Sequence, residues 1–174
     1  MKLTYDNLII RHAVKEDANI LCKWWNDGKI MAHAGFPNGL QTTKDKIIES
    51  LEKDSDNHRR LILELDDQPI GEMCFTILDH HYADIGIKIC EVTHQEKGYG
   101  RKYLSMLITY LFEERNCTKI VLDTNLQNKR AQHVYESLGF RKLRINYDSW
   151  KDQLGHLQSS VDYELVKESF KTYL

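Results

Sequence analysis

The chain lacks the features that mark membrane, secreted and metal-binding proteins. Its 174 residues contain no apolar run long enough to cross a bilayer, and the N-terminus has no apolar signal segment. The four cysteines are far apart, form no C-x-x-C pair and join no histidine in metal-ligand spacing. We therefore expect a cytoplasmic protein with reduced, mostly buried thiols and no metal. Neither a membrane nor a nucleic acid is an expected partner.

Composition and charge are those of an ordinary globular protein. With 174 residues and 41% hydrophobic content, the chain is long enough for a sizeable core, and we expect one domain over 1–174. The net charge is only −2, but residues 94–151 hold eleven Lys and Arg against six Asp and Glu. A basic segment suits an anionic ligand and an acidic remainder suits a cationic one, although chance scatter of surface charge gives the same pattern.

A glycine-containing segment, Gln95–Gly100, joins a predicted strand to a predicted helix. In the strand, 82–90, apolar residues alternate with others, and in the helix, 101–115, they recur at helical spacing. The two glycines allow a tight turn and the close approach of a ligand, while the first N–H groups of a helix attract anions. Lys97 and Arg101 add positive charge. The segment predicts a site for a phosphate-bearing ligand; a plain turn with solvated lysines is the alternative.

The glycine spacing argues against two common nucleotide motifs. The dinucleotide fingerprint G-x-G-x-x-G lacks its third glycine, where Tyr103 stands, and the P-loop pattern is absent. The pattern present is Q-x-x-G-x-G followed by a basic residue. A second pattern, N-x-x-A-x-x-x-Y-x-x-x-G-F, occupies 128–140 and follows a predicted buried strand at 118–124.

These two motifs resemble the signatures of the GCN5-related N-acetyltransferase (GNAT) superfamily. With the strand before them they cover residues 82–140. The resemblance implies that acetyl-CoA is the co-substrate, with its diphosphate on the glycine segment, and that a primary amine attacks the thioester directly. Around 24–27 and 162–163 the chain is most similar to the branch of ribosomal-protein N-terminal and spermidine acetyltransferases. Aminoglycoside 6′-N-acetyltransferases are also similar.

For the whole chain the resemblance implies an α/β (α+β) fold of the GNAT type. The expected sheet is mixed and mostly antiparallel, with about seven strands, splayed between the fourth and fifth, and about four flanking helices. A long loop is predicted at 28–40 and a hairpin turn at 66–69. Strands are predicted at 8–14, 59–65, 70–78, 82–90, 118–124, 140–147 and 161–166, and helices at 16–27, 43–53, 101–115 and 128–140.

The resemblance also assigns cofactor-binding residues. Backbone groups at the edge of the splayed strand, from Lys88 to Cys90, are expected to pair with the pantetheine arm. Asn128 is expected to bind the pantetheine or order the loop, with a helix N-cap as the competing explanation. Ala131 is small where the cofactor passes. The complete set is Lys88, Ile89, Cys90, Gln95, Glu96, Lys97, Gly98, Tyr99, Gly100, Arg101, Asn128, Ala131 and Tyr135.

The chemistry needs a proton donor and a proton acceptor. Tyr135 stands where the family places a hydroxyl beside the cofactor sulfur, and a phenol is protonated at neutral pH; packing under the cofactor is its alternative role. Asp84 stands in register with the catalytic glutamate of the superfamily's histone acetyltransferases, one methylene shorter. Glu72 and Glu91 are rival bases, and ordered water is a further alternative.

The acceptor is the least determined part of the site. Trp24, Trp25, His33 and Phe36 are expected substrate-binding residues, although core packing competes for the two tryptophans. The acceptor is expected to be a small amine, such as a polyamine or aminosugar, or a protein N-terminus, bound by a monomer or homodimer. A non-catalytic acetyl-CoA-binding module and a nucleotide-binding regulatory domain are the alternative functions.

Overall fold

A single sheet of eight strands runs through the protein, whose computed structural model describes residues 1–174. The strands are β1 (Lys2–Tyr5), β2 (Leu8–His12), β3 (His58–Leu65), β4 (Gln68–Leu78), β5 (Tyr82–Ile89), β6 (Lys119–Asn125), β7 (Arg141–Lys151) and β8 (Leu157–Val166). They lie in the order β1-β2-β3-β4-β5-β6-β8-β7. All neighbouring pairs are antiparallel except β5 and β6, which are parallel.

Five α-helices cover the two faces of this sheet: α1 (Ala18–Trp25), α2 (Gly28–Met31), α3 (Lys44–Glu52), α4 (Tyr99–Glu113) and α5 (Lys129–Ser137). The helices α4 and α5 pack on one face around a core of 26 buried residues. On the other face, α1 and α3 enclose a second core of 6 buried residues. Even the longest helix, α4, has only 15 residues, and none is long and apolar enough to cross a membrane.

The alternation of apolar and polar residues in β5 shows which side chains lie on each face of the sheet. Ala83 and Ile85 are buried under α4, while Asp84 between them is exposed on the opposite face. Successive side chains of a strand point to opposite sides of the sheet, so burial of the apolar residues fixes the register of the strand. The same alternation in β6 buries Ile120 and Leu122.

The sheet opens between β5 and β6. Their parallel pairing runs from Tyr82 with Lys119 to Asp84 with Val121 and then stops. The strands themselves continue to Ile89 and Asn125, so the carboxyl-terminal halves of β5 and β6 have no pairing with each other. This opening confirms the predicted splay and leaves backbone hydrogen-bonding groups of β5 without a partner strand.

The structure confirms the predicted fold class and adds elements that the periodicity missed. β1 was not predicted because it has only four residues and is half exposed, but it pairs with β2 through a tight turn. α2 lies inside the predicted loop 28–40 and begins where the Asp27 carboxylate accepts the Lys29 N–H. Such a short helix presents too few apolar residues to show helical spacing.

Element boundaries also differ from the prediction, most of all in two of the hairpins. The β3–β4 turn contains only Asp66 and Asp67, both with positive φ, so Gln68 and Pro69 belong to the strand. Paired positive φ values suit the right-handed twist of a two-residue hairpin, and Asp tolerates them better than most residues. The last hairpin is longer than expected, since β7 extends to Lys151 and β8 begins at Leu157.

Candidate active site

A cavity of about 890 Å³ occupies the opening between β5 and β6. We call it the central cavity. Its walls come from the ends of β5 and β6, the segment before α4, α5, α2 and the β7–β8 hairpin. The cavity therefore passes from the face covered by α4 and α5 to the face covered by α2. After the ligands predicted for them, we call these the cofactor face and the acceptor face.

The segment that leads into α4 presents a row of unused backbone donors. Six consecutive N–H groups, from Glu96 to Arg101, donate to no acceptor within the protein. Gly98 caps the helix with a φ of 80°, a conformation that a side chain would strain. A Cβ atom built on Gly100 would meet nothing within 4 Å. Free N–H groups at the start of a 15-residue helix can bind an anion, so this segment stays the predicted site for a phosphate-bearing ligand.

Side chains around this segment hold its shape. Gln95 donates its amide Nε2 to the Ile89 carbonyl at 2.9 Å, which ties the segment to the end of β5. Arg130 of α5 forms a salt bridge with Glu96 at 3.3 Å. The Arg101 guanidinium lies 4.8 Å from the Tyr173 ring centroid. Arg130 was not predicted as a site residue because it occupies a variable position of the second motif.

Lys97 is exposed and does not line the central cavity, unlike its neighbours from Gln95 to Arg101. Its ammonium can still add to the positive potential around the segment. We therefore expect Lys97 to contribute less to ligand binding than the backbone does.

The edge of β5 shares only Ile89 with the predicted set of Lys88, Ile89 and Cys90. Cys90 donates its N–H to the Ile70 carbonyl, toward β4. Since backbone groups of a strand alternate in direction, the N–H and C=O of Lys88 also face β4, while those of Ile87 and Ile89 face the opening. Lys88 and Ile89 line the central cavity, but Cys90 is buried in the second core. The free edge is therefore formed by the N–H and C=O of Ile87 and the N–H of Ile89, because the Ile89 carbonyl already accepts from Gln95.

The second motif forms α5 and brings three predicted residues to the cavity. Asn128 caps the helix by accepting the Ala131 N–H at 3.2 Å, and both residues line the cavity. Tyr135 lies one turn after Ala131 on the same face of α5 and is 6% exposed. The centroid of its ring lies 5.8 Å from those of Phe140 and Tyr163. Packing on two sides fixes the direction of the phenol.

The Tyr135 hydroxyl has no hydrogen-bond partner in the protein and lines the central cavity. Burial raises the pKa of this phenol above its ordinary value, and the nearby Asp123 carboxylate raises it further. The group therefore stays protonated at neutral pH. Tyr135 can donate a hydrogen bond to an acceptor inside the cavity.

The predicted bases lie at three different places. Asp84 is exposed at the last position of β5 that pairs with β6, and it does not line the cavity. Glu72 is 4% exposed, and its two oxygens accept from Trp25 Nε1 and Arg60 Nη1, each at 2.8 Å. Glu91 accepts from Trp24 Nε1 at 2.8 Å. Glu72 and Glu91 are thus used in packing the sheet against α1.

Asp123 is the carboxylate that β6 brings to the central cavity. It shares a sheet face with Asp84, whose pKa is raised first by partial desolvation among neighbouring groups, although its side chain is exposed, and then by the Asp123 charge. Burial also raises the pKa of Asp123, and the Asp162 carboxylate adds to the effect. Sequence reasoning missed Asp123, although it is the one charged residue in the apolar stretch 120–124. Asp84 had been singled out by its register with the glutamate of the histone acetyltransferases, a match that does not extend to β6.

Only one of the four predicted acceptor residues reaches the cavity. His33 lines it, whereas Phe36 does not, and Trp24 and Trp25 belong to the core beneath α1. The tryptophans face inward because their indole N–H groups donate hydrogen bonds there, Trp24 to Glu91 and Trp25 to Glu72. The cavity instead takes Lys29, Ile30 and Ala34 from the α2 region and Trp150 from β7.

The hairpin tip holds the α2 region in place. The Trp150 ring packs where a Cβ on Gly35 would lie 2.5 Å away, so only glycine fits there. Gln153 donates its N–H to the Gly35 carbonyl at 2.8 Å and its Nε2 to the Gly39 carbonyl at 2.9 Å. These contacts close one wall of the cavity. No group of three or more His, Cys, Asp or Glu side chains is placed to hold a metal ion.

A family model for an acetyltransferase (GNAT) domain matches residues 7–141, well over half of the chain. The chain therefore belongs to the GNAT family of acetyltransferases, and it is an N-acetyltransferase. The uncharacterized N-acetyltransferase p20 of Bacillus licheniformis is 26% identical over 172 residues, which are 95% of this chain and 96% of that protein. The spermidine N(1)-acetyltransferase of Vibrio cholerae is 36% identical over 61 residues, 35% of each chain.

Solved structures share the fold over nearly the full length. The crystal structure of spermidine N-acetyltransferase from Vibrio cholerae in complex with CoA and spermine has a TM-score of 0.85 and 23% identity, covering 95% of this chain and 98% of that one. An acetyltransferase of the GNAT family from Bacillus anthracis has a TM-score of 0.80 and 19% identity, covering 97% and 99%. At these identities the likeness concerns the fold.

Proposed function

We propose that this enzyme transfers the acetyl group of acetyl-CoA to a primary amine that attacks the thioester directly. One observation carries the proposal: six unpartnered N–H groups, Glu96 to Arg101, begin a helix at the mouth of a cavity that crosses the opened sheet. A diphosphate fits this row because each oxygen can accept from a backbone donor that has no other partner. The cavity of about 890 Å³ can hold the rest of an extended cofactor arm.

The residues present fit acetyl-CoA along its length. The segment 96–101 would hold the diphosphate, and the free backbone edge at Ile87 and Ile89 would pair with the amides of the pantetheine. Asn128 and Ala131 line the same side of the cavity. Acetyl-CoA supplies an acyl group activated as a thioester. The protein's part is to orient that group, exclude water and move protons.

Tyr135 is the proposed proton donor. Its hydroxyl is protonated, oriented by two aromatic neighbours and free of protein partners. A hydroxyl in this state can donate to the sulfur that leaves as a thiolate. Retention of the hydroxyl proton at neutral pH follows from the raised pKa.

For the proton acceptor, geometry favours Asp123 over the predicted Asp84. Both carboxylates are on the acceptor face, but only Asp123 lines the cavity. A carboxylate with a raised pKa is a better base and can take a proton from an ammonium directly or through water. Asp84 as the base, alone or through a water, stays a prediction. Glu72 is a weaker candidate because both its oxygens already accept hydrogen bonds.

The acceptor class remains a proposal drawn from two sources. The relatives include proteins named for spermidine acetylation, and one related structure binds spermine, which favours a small amine. An aminosugar or a peptide N-terminus fits the same chemistry. The alternative, a non-catalytic module that binds acetyl-CoA, predicts binding without turnover.

The test combines binding and turnover on the purified protein. Calorimetry should show acetyl-CoA binding, with ATP and NAD binding much more weakly, and CoA release should depend on an added amine. Panels of polyamines, aminosugars and peptides with free N-termini identify the acceptor class. Tight acetyl-CoA binding with no turnover on any panel would favour the non-catalytic module. ATP or NAD binding as tight as acetyl-CoA would contradict the proposal.

A further inference from the structure

Charged side chains are unevenly placed on the acceptor face of the central cavity. Alternation along β5 and β6 puts Lys88 and Asp123 on that face, which α2 covers. The Lys88 ammonium lies 3.5 Å from the Met31 sulfur, directly under α2. Lys29, on α2 itself, also lines the cavity.

Neither lysine has a carboxylate partner in the protein. Neither Lys88 nor Lys29 forms a salt bridge, and the Met31 sulfur is the one hydrogen-bond partner of the Lys88 ammonium in the protein. Glu72 stands opposite Lys88 across the β4–β5 pairing, but its oxygens accept from Trp25 and Arg60. Lys29 is exposed, but Lys88 is half-buried, and a half-buried ammonium without an anion is unusual because burial disfavours an uncompensated charge.

The cavity has few carboxylates to offset these charges. Only Glu96 and Asp123 line it, and Glu96 is paired with Arg130 at the diphosphate segment. Asp123 is therefore the one carboxylate left for the acceptor amine. The acceptor face offers one negative group and two unpaired positive groups.

Resting on the proposed function, we propose that Lys29 and Lys88 form an anionic subsite, so that the acceptor carries a carboxylate or phosphate in addition to its amine. Asp123 would face the amine and the two lysines would face the anion. A lysine ammonium is a compact point charge that binds either anion. An acceptor with opposite charges at its two ends complements this face better than a polyamine does.

A polyamine places a second cation where the lysines lie. Like charges brought together in a partly desolvated cavity repel each other, and the acceptor face supplies no second carboxylate inside the cavity. Asp84 lies next to Asp123 on the same face but outside the cavity. A diamine reaching Asp84 is therefore the competing occupant that the test must distinguish.

The experiment compares amines that differ only at the far end of the molecule. Butylamine, 4-aminobutyrate, 3-aminopropyl phosphate and 1,4-diaminobutane are assayed as acceptors at fixed acetyl-CoA, and kcat/KM is measured for each. We expect the better anionic amine to exceed butylamine by about tenfold or more, the typical value of a charged hydrogen bond. The two anions show whether carboxylate or phosphate is preferred.

Two variants connect that preference to the lysines. Lys88→Met and Lys29→Met should each remove most of the preference for the anionic amine, measured as the ratio of its kcat/KM to that of butylamine in the same variant. Lys23→Met, an exposed lysine of α1 outside the cavity, is the matched control and should retain the preference. A preference for 1,4-diaminobutane, or no preference at all, would overturn the proposal.

A different outcome would assign the lysines to the cofactor. If Lys88→Met raises KM for acetyl-CoA and leaves the ratio among acceptors intact, the lysines bind cofactor phosphate and the anionic subsite is refuted. A binding measurement distinguishes failure of this inference from failure of the proposed function. If no amine is acetylated, thermal shifts are measured with CoA present. Greater stabilisation by an anionic amine than by butylamine, lost in Lys88→Met, then supports the subsite even though the proposed transfer fails; equal stabilisation refutes it.

Discussion

Replacing Gly100 with alanine separates ligand binding from stability. Gly100 lies in the first turn of α4 without a positive φ, and a Cβ there meets nothing within 4 Å. Alanine should therefore stabilise the free protein by about 0.5–1 kcal/mol, because glycine loses more conformational freedom in a helix. For a chain of this length the midpoint of thermal unfolding should rise by up to about 4 °C.

The same methyl group should weaken acetyl-CoA binding. It projects from the row of free N–H groups into the space that a diphosphate needs, and moving the phosphate outward loses one or two charged hydrogen bonds. Each such bond contributes about 1.5–3 kcal/mol. Since about 1.4 kcal/mol is a factor of ten, Kd should rise at least about tenfold. Calorimetric titration with acetyl-CoA and a thermal melt measure the two effects on one sample.

Gly98 provides the matched comparison. Its φ is 80°, and a Cβ there would lie 3.9 Å from the nearest atom, on Arg101, so the cost to the free protein is conformational. Gly98→Ala should destabilise by about 1–2 kcal/mol and also weaken binding, and Gly98→Val should weaken binding more. A stabilised Gly100→Ala protein that binds acetyl-CoA within twofold of the unaltered protein would refute a diphosphate site at this segment.

Three further predictions concern the proton path and the buried ion pair. Tyr135→Phe should lower kcat about a hundredfold with little change in acetyl-CoA affinity; a twofold loss, with chemistry rate-limiting, would leave Tyr135 a packing role. A catalytic Asp123 must be ionised, so kcat/KM should fall as pH drops through its raised pKa. Asp123→Asn should abolish this fall at low pH, whereas Asp84→Asn should keep it. The reverse result would restore Asp84 as the base. Glu72→Ala should lower the free energy of unfolding, measured with urea, by about 3 kcal/mol because it leaves Arg60 unpaired. The folded enzyme should keep the pH dependence of kcat/KM. Loss of the fall in kcat/KM at low pH would instead make Glu72 the base.

Local pattern was sufficient for most of the fold. Strong alternation in β5 and helical spacing in α4 reflect burial on one face, which a linear sequence records directly. The segments that were missed, β1 and α2, have four residues each and too few apolar positions to show a period. The capping Asp27 was a local signal for α2, but four residues cannot establish a helix without the neighbouring elements.

The cofactor side of the site was predictable because its chemistry is local. Gly98, Gly100 and the start of α4 are adjacent in sequence, and the backbone donors follow from the helix itself. Asn128 and Tyr135 are on one helix, so their spacing fixes their relation to each other. The sequence could therefore name most of the residues that line this side of the cavity, while their roles stay predictions.

The acceptor side was decided by tertiary structure. Whether Asp84 or Asp123 reaches the cavity depends on where the β5–β6 pairing ends, a property of two strands separated by α4. Trp25 turns inward because Glu72, far along the chain, accepts its N–H, and Trp150 lines the cavity because Gly35 leaves room for its ring. The sequence thus determined the fold class and the anion-binding helix start, which depend on neighbours along the chain. Only packing decided which charges meet in the cavity, because those side chains come from elements that folding alone brings together.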